Sequence, residues 1–515
     1  MPKWLDNAVF YEIYPQSFHD TNADGIGDFE GIIQKLDYIK MLGCNAIWIN
    51  PCFESPFNDA GYDISDYYKV APRYGTNDDL KRLLKEAHHR NIHVLFDLVP
   101  GHTSIEHPWF RESMKNEQNE YTHRYIWTDN TWEPPLGLSY LRGVSDRDGA
   151  CGVNYYSTQP ALNYGYANPT RPYMKSPDHP AALANRDEMK NIMRFWMDMG
   201  CDGFRVDMAA TLIKNDPDRS ENIKLWQEFR EFFDKEYPDC AMISEWGEPQ
   251  NAIAGGFHMD FLLHVGPAAY TSLFRSENPF FSKAGTGDIS VFANQYSKFY
   301  NTVDGKGLIC IPSGNHDMHR LRENRDIDDM KLCFVFLLTM PGSPFIYYGD
   351  EIGMKYLPHV KSKEKGYHRT GSRSPMQWDN TQNTGFSKAD SGSLYIPIDP
   401  DENRPTVKDQ LSDNNSLLKT VSDLIRMRLE TPALQNCAGF RFVYAQENKY
   451  PLVYERSDGD NSYIIIINPA NRQESCILDI ELDGALQIYS VGGQIEIAGN
   501  KITAKPVSAA IFKVN

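Results

Sequence analysis

Two periods alternate along the first 350 residues. Short runs rich in β-branched and aromatic residues recur at 8–18, 46–51, 93–99, 203–208, 241–246, 256–263, 307–312 and 343–348. Between most of them the apolar positions fall at helical spacing. Ile32, Ile33, Leu36 and Ile39 do so within 31–42, and Leu80, Leu83, Leu84 and Ala87 within 76–90. The second stretch opens on Thr76-Asn77-Asp78-Asp79, a side-chain cap for free amides. Eight strands, each followed by a helix, predict an α/β fold: a (β/α)₈ TIM barrel with its chemistry at the strands' C-terminal ends.

Two segments break the rhythm. Residues 102–183 are rich in Tyr, Asn, Pro and Gly and carry no helical period, which predicts a loop-rich subdomain inserted after strand 3. Beyond 430 the pattern becomes strand-like, as in 462–468 and 508–514, with turn signals such as Ser457-Asp458-Gly459-Asp460. An antiparallel C-terminal β-sandwich is expected there. The division is therefore 1–101 and 184–430 for the barrel, 102–183 for the insertion and 431–515 for the sandwich.

Composition narrows the partners. A chain of 515 residues calls for two or three domains, and its formal charge of −17 repels phosphate backbones, so nucleic-acid binding is not expected. Nine cysteines, an odd number with no C-x-x-C pair, suit a reducing compartment better than a disulfide framework. Cys44, Cys310 and Cys333 sit in apolar runs, where a thiol acts as a small hydrophobe. The start, Met1-Pro2-Lys3-Trp4-Leu5-Asp6, lacks a signal-peptide pattern, and no apolar run approaches a membrane span. The expectation is a cytoplasmic protein with no membrane partner.

The chemistry gathers at the predicted strand ends. The third closes on Asp97-Leu98-Val99-Pro100-Gly101-His102, the fourth is Gly203-Phe204-Arg205-Val206-Asp207, the fifth ends in Ser244-Glu245-Trp246 and the seventh in Asn315-His316-Asp317. Any one acid could be a surface group or a cap; four at successive strand ends converge on one mouth. Arg205 and Asp207 are two apart and share a strand face, so the guanidinium favours an ionised Asp207, as a nucleophile needs. Glu245 lies one strand along, near that charge and the Trp246 ring, and both raise a carboxyl's pKa, as a proton donor needs. Neighbouring strands allow the roughly 5–5.5 Å carboxyl separation of retaining glycosidases. His102 and His316 offer N–H donors to sugar hydroxyls, and Asp317 can take a hydroxyl pair.

These motifs resemble those of the α-amylase superfamily, family 13 of the glycoside hydrolases. Gly61-Tyr62-Asp63 and Gly349-Asp350-Glu351 match as well, so the resemblance spans barrel and insertion. It implies Asp207 as nucleophile, Glu245 as acid/base and Asp317 as transition-state stabiliser, with Tyr62, Asp63, His102, Arg205 and His316 lining the −1 sugar subsite. The substrates implied are α-linked glucosides or oligosaccharides.

Within that family the sequence favours one branch. Gln159-Pro160-Ala161-Leu162-Asn163 resembles the Gln-Pro-Asp-Leu-Asn signature of oligo-1,6-glucosidase-like members, with Ala161 at the Asp position. Arg373-Ser374-Pro375-Met376-Gln377-Trp378 resembles the Arg-Thr-Pro-Met-Gln-Trp run of α-glucosidases and related transferases. In those, the arginine and the acid matching Asp63 grip the outer hydroxyls of a terminal glucose, which implies exo-action. Endo-acting α-amylases carry Lys-His at the third and fourth positions after the nucleophile, where this chain has Ala210 and Thr211. Met208 leaves the linkage preference unread. The rivals are an α-glucosyl transferase or isomerase (trehalose-synthase-like or sucrose-active), then an endo-α-amylase. A non-catalytic transporter-accessory barrel would have lost the acids that this chain keeps.

Metals are expected at one place. Asp20, Asn22, Asp24, Ile26 and Asp28 stand at positions 1, 3, 5, 7 and 9 of an EF-hand-like loop with Gly25 at position 6, which predicts a structural Ca²⁺. The oligo-1,6-glucosidase-like branch carries a calcium loop of this form. The second calcium site of α-amylases, between barrel and insertion, uses an Asn where this chain has Gly101, and is expected to be absent.

Overall fold

The computed structural model describes residues 1–263, 269–365 and 369–514. Eight parallel strands form the central sheet: β1 (Phe10–Ile13), β2 (Ala46–Ile49), β3 (His93–Leu98), β4 (Gly203–Val206), β5 (Ala241–Ser244), β6 (Met259–Phe261), β7 (Leu308–Cys310) and β8 (Phe345–Tyr347). They are paired in sequence order from β7 back to β1, then to β8. A parallel bridge from Pro312 to Phe345 brings β7 against β8 and closes the ring. The fold is a (β/α)₈ barrel.

Both faces of the strands are buried, and the side chains divide between them at period two. Phe10, Trp48, Leu95, Ile243, Phe261 and Phe345 pack together inside the ring. Tyr11, Ile47, Val94, Phe96, Phe204 and Met242 face the helices. Gly203 opens β4 at φ +137°, where a Cβ would lie 2.1 Å from the Ala241 carbonyl oxygen. Only glycine lets β4 approach β5 there.

The helices are α1 (Phe29–Leu42), α2 (Asn77–His88), α3 (Pro180–Met199), α4 (Ser220–Glu236), α5 (Pro249–Ala254), α6 (Ile289–Val303), α7 (Ile327–Thr339) and α8 (Leu417–Glu430). Asp28 caps α1 by accepting from Gly31 N, and Thr76 with Asp79 forms a reciprocal capping box on α2. Each cap is worth about 1 kcal/mol.

Two regions depart from the sequence reading. The stretch 102–183 contains a one-turn helix, Pro108–Ser113, and a hairpin of Ser139–Arg142 with Ala150–Val153; α3 starts already at Pro180, where the His179 ring accepts from Ala181 N. The connection from β8 to α8 is long and irregular, a series of 3₁₀ turns at Asp350–Ile352, Thr370–Ser372, Gln382–Gly385 and Ser391–Ser393. It has neither period, so the hydrophobic pattern did not separate it from the barrel, yet it supplies one wall of the site.

The C-terminal strands are β9 (Gly439–Tyr444), β10 (Leu452–Ser457), β11 (Ser462–Asn468), β12 (Glu474–Ile477), β13 (Leu486–Gly492), β14 (Ile495–Ala498), β15 (Lys501–Ala504) and β16 (Ser508–Val514). They form a five-stranded sheet, β9-β10-β11-β16-β13, and a three-stranded sheet, β12-β15-β14, all antiparallel. Val453, Ile464 and Ile466 pack with Cys476, Ile495 and Ile502 between the sheets. Ile465, Ile467 and Tyr454 on the opposite face join the barrel core, where the Thr339 hydroxyl of α7 meets the Tyr454 hydroxyl at 2.5 Å. Among the described residues no helix is long and apolar enough to cross a membrane, and all nine cysteines are free.

Candidate active site

The strand alternation that fills the barrel floor also aims its charged residues upward. Arg205 points inward from β4, almost wholly buried, and its guanidinium lies 5.0 Å from the centroid of the Trp48 ring. Nη1 donates to Asp97 Oδ1 at 2.7 Å and Asp207 Oδ1 at 3.1 Å, and Nη2 reaches Glu245 Oε1 at 2.8 Å. One cation from one strand thus joins acids from β3, β4 and β5. Asp97 also accepts from Trp48 Nε1 at 3.1 Å and Tyr62 Oη at 3.0 Å.

Burial pushes the Asp97 carboxyl up to about 6 despite Arg205. Asp207 goes further. Burial first, then the Glu245 carboxylate, drive it well above the usual carboxylate range, outweighing Arg205. The expectation that Arg205 keeps Asp207 ionised is corrected here: burial and the Glu245 charge beside it outweigh the guanidinium. Glu245 Oε2 accepts from Met208 N at 3.1 Å, and Met208 itself sits at φ 44°, ψ 44°, a left-handed conformation costly for a side-chain-bearing residue. Asp260 on β6 accepts from Ser244 Oγ at 2.6 Å and Trp246 N at 3.0 Å, and so holds both neighbours of Glu245.

Opposite Arg205 stands Asp317. Its Oδ1 accepts from Arg369 Nη1 at 2.7 Å and Arg373 Nη2 at 2.9 Å, and its Oδ2 lies 3.4 Å from His316 Nε2. Burial works against ionisation, but His316, Arg369 and Arg373 together hold the Asp317 carboxyl far below the ordinary range. The His316 ring contacts Tyr62 Oη at 2.7 Å through Nε2 and Glu12 Oε1 at 2.9 Å through Nδ1. His102 is buried and held down at about 4 by that burial, its Nε2 3.1 Å from the Tyr62 carbonyl. Asp207, Glu245, Asp317, Tyr62, Arg205, His102 and His316 therefore share one region at the barrel mouth.

Two predicted residues take other places. Asp63 is fully buried and accepts from Ser55 Oγ, Asn58 N and Asp59 N, so its carboxylate is spent on folding its own loop. Arg373 is fully buried too, donating from Nε to the His316 carbonyl and from Nη1 to Glu364 at 2.9 Å. The expected Asp63–Arg373 grip is corrected to a pair four residues earlier in each motif. Arg369 Nη2 donates to Asp59 Oδ1 at 2.8 Å and to Tyr156 Oη at 3.1 Å. Gln159, the first residue of the Gln-Pro-Ala-Leu-Asn signature, donates to Asp59 Oδ2 at 2.7 Å and steadies this wall from the insertion. Glu12, Trp48, Asp59, Asp260 and Arg369 were not found by sequence reasoning. Asp59 and Arg369 each lie just before a recognised motif, and the hydrogen bonds of the folded loops tell them from Asp63 and Arg373.

The loop 20–28 folds on its own oxygens. Asp20 accepts from Asn22 N, Ala23 N and Gly25 N, Asn22 Oδ1 from Asp24 N, and Asp24 Oδ1 from Ile26 N. Among the described residues no three His, Cys, Asp or Glu side chains meet as a metal-binding group. At the other predicted divide, a Cβ on Gly101 would lie 2.6 Å from Asn154 Nδ2, and the Lys214 ammonium donates to Asn154 Oδ1 at 3.3 Å and to the Thr211 carbonyl at 2.6 Å. A lysine thus links barrel and insertion there.

Comparison with known proteins agrees with this geometry. The family model for the alpha amylase catalytic domain matches residues 12–437. The trehalose synthase/amylase TreS of Mycolicibacterium smegmatis is 33% identical, over 82% of this chain and 76% of that protein. The oligo-1,6-glucosidase of Parageobacillus thermoglucosidasius is 30% identical over 99% of each. A solved variant of isomaltulose synthase from Erwinia rhapontici NX5, in complex with its natural substrate sucrose, superposes with a TM-score of 0.82 at 27% identity and covers the whole of both chains. By its barrel, its convergent acids and this family match, the chain belongs to the α-amylase family, an enzyme family of glucosidases and glucosyl transferases.

Proposed function

We propose that this protein is a retaining, exo-acting α-glucosidase on short α-glucosides. The observation that carries the reading is the Arg205 guanidinium joining Asp207 to Glu245, which keeps two carboxyls close on adjacent strands, as a covalent route requires. In the first step an Asp207 oxygen bonds to the anomeric carbon while Glu245 gives its proton to the departing glycosidic oxygen. Water, deprotonated by Glu245, then breaks the glycosyl–Asp207 ester and releases the sugar with its configuration retained. Asp317, kept anionic by its cationic neighbours, suits a pair of hydroxyls on a ring that flattens towards an oxocarbenium ion. The Asp59–Arg369–Tyr156 wall supports exo-action, because it stands beside Asp317 where a longer chain would have to continue.

A second reading is an α-glucosyl transferase or isomerase, favoured by likeness to trehalose synthases and to isomaltulose synthase. It uses the same two steps with a sugar hydroxyl in place of water. Product analysis on maltose, isomaltose, sucrose, trehalose and maltotriose separates the two: glucose release supports hydrolysis, and rearranged disaccharides support the isomerase. Rapid cleavage of an end-blocked maltoheptaoside would overturn exo-action.

We also propose a structural Ca²⁺ in the loop 20–28, held by Asp20, Asn22, Asp24, Ile26 O and Asp28. Its support is the order of oxygen donors and the side-chain-to-amide turns that already bend the loop around them.

A further inference from the structure

His316 presents one edge to the pocket and the other to Glu12, deep in the barrel. The hydrogen bonds around the ring leave little freedom in where its proton sits. Tyr62 has one phenolic hydrogen and donates it to Asp97 Oδ2, an oxygen that also accepts from Trp48 Nε1. The 2.7 Å contact between Tyr62 Oη and His316 Nε2 then needs its hydrogen from Nε2. Asp317 Oδ2, an acceptor 3.4 Å from the same nitrogen, asks for that hydrogen as well.

A neutral ring with Nε2–H has a bare Nδ1. Asn50 Nδ2 lies 3.0 Å from Nδ1 and donates to Glu12 Oε1 at 3.2 Å, which leaves the Nδ1 lone pair for another donor. Glu12 Oε1 lies 2.9 Å away, and an ionised carboxylate there would set lone pair against lone pair. A doubly protonated ring would remove that clash, and Asp317 and an ionised Glu12 would favour it, but burial, Arg373, Arg205 and Arg369 oppose it. Glu12 is itself fully buried, and among the described residues its Oε2 has no hydrogen-bond partner. A charged carboxylate with an orphan oxygen is costly in such a place. Burial drives Glu12 well above the usual carboxylate range, against Asn50 and Arg205 and with Asp97 adding to the push.

We propose that Glu12 stands protonated behind His316, donates its hydrogen to Nδ1, and thereby fixes the tautomer that presents Nε2–H to the sugar. Glu12 is then a positioning residue: it touches no substrate and acts through the imidazole. This rests on the α-glucoside reading for its effect on catalysis, but not for the proton's location.

The test pairs two variants with a direct view of the ring. Glu12→Gln keeps an N–H donor towards Nδ1 and is expected to hold kcat/KM within about threefold, with an unchanged pH profile. Glu12→Met keeps the bulk without the donor and is expected to lose about tenfold or more. A merely space-filling Glu12 would not separate the two. On the wild-type protein labelled with ¹⁵N-histidine, with a His316→Asn variant to assign the signal, one protonated Nε2 and one bare Nδ1 are expected. Two protonated nitrogens, or a Gln variant as damaged as the Met variant, would overturn the proposal. Wild-type protein that turns over no α-glucoside would instead sink the functional reading, and the ring signal would still locate the proton.

Discussion

The two sides of the pocket are built on different principles. On the reaction side one buried arginine, Arg205, serves three acids, and every member comes from a barrel strand end. On the far side two arginines, Arg369 and Arg373, meet on Asp317, each paired as well with a second acid, Asp59 or Glu364, and both come from the irregular connection after β8. Burial, with neighbouring carboxylates, raises Asp97 and Asp207 on the first side despite Arg205, whereas on the second His316, Arg369 and Arg373 depress Asp317 against its burial. A proton can therefore be held and moved on the reaction side, while the far side stays anionic and only binds. The contrast assigns chemistry to one wall and recognition to the other.

Substitutions on the two walls should differ in kind. Asp207→Asn is expected to lower turnover by roughly 10⁴-fold, since an amide cannot form the glycosyl ester. A folded variant with near wild-type rates would break the comparison at its root. Glu245→Gln should cost roughly 10²–10⁴-fold on natural glucosides and far less on substrates whose leaving group needs no proton; equal losses on both would remove Glu245 from the proton-donor role.

The far wall sharpens the contrast. Arg369→Ala should lower kcat/KM on short α-glucosides by about tenfold or more, because it removes one of the two guanidiniums on Asp317 and unpairs Asp59. Arg373→Ala should add a loss of stability of about 3–5 kcal/mol, because Arg373 is fully buried and balances the Glu364 carboxylate as well as Asp317. Thermal melts beside steady-state kinetics distinguish the two. Calcium belongs to neither wall: chelation is expected to lower the melting temperature while leaving the intrinsic rate unchanged, and calorimetry showing no Ca²⁺ uptake would remove the ion from the account.

The smallest effect is in pH. Burial raises Asp97 to about 6 and Asp260 and Glu351 to about 7. Each binds its proton more tightly folded than unfolded, so between about pH 4 and 7 these acids hold more protons in the folded state and their contribution to stability falls as pH rises. Asp317 has the opposite sign, and its contribution is lost only as pH falls below about 4. Buried histidines held low, His102 and His107 at about 4, pull the other way below about pH 6.5. One acid's share is therefore the test: the melting-temperature advantage of the wild type over Glu351→Leu is expected to shrink from pH 5 to pH 7.5.

What the sequence revealed follows the same division. Strands and helices announce themselves by period, so the barrel, the Thr76 cap and the acids at the strand ends were legible. Asp63 and Arg373 were read as the sugar's grip because their motifs point to them, yet they fold loops and buttress Asp317. Asp59 and Arg369, each four residues earlier, pair with each other instead. Nothing in residue type or spacing separates these alternatives; the difference is whether the carboxylate is consumed by backbone amides. The upward shift of Asp207 was hidden for a related reason, since burial, which outweighs Arg205, is a property of the closed ring. Glu12 reads along the chain as one more strand residue, and its meaning comes from His316, 304 positions away.

The central claim is that Asp207 becomes glucosylated while Glu245 handles the proton. The most direct measurement is intact and peptide mass spectrometry of the Glu245→Gln variant after reaction with α-glucosyl fluoride, whose leaving group needs no acid. The account predicts a mass gain of one glucosyl unit on the peptide that contains Asp207, and no gain in the Asp207→Asn, Glu245→Gln double variant. An adduct on another residue, or one that persists without the Asp207 carboxylate, would contradict it.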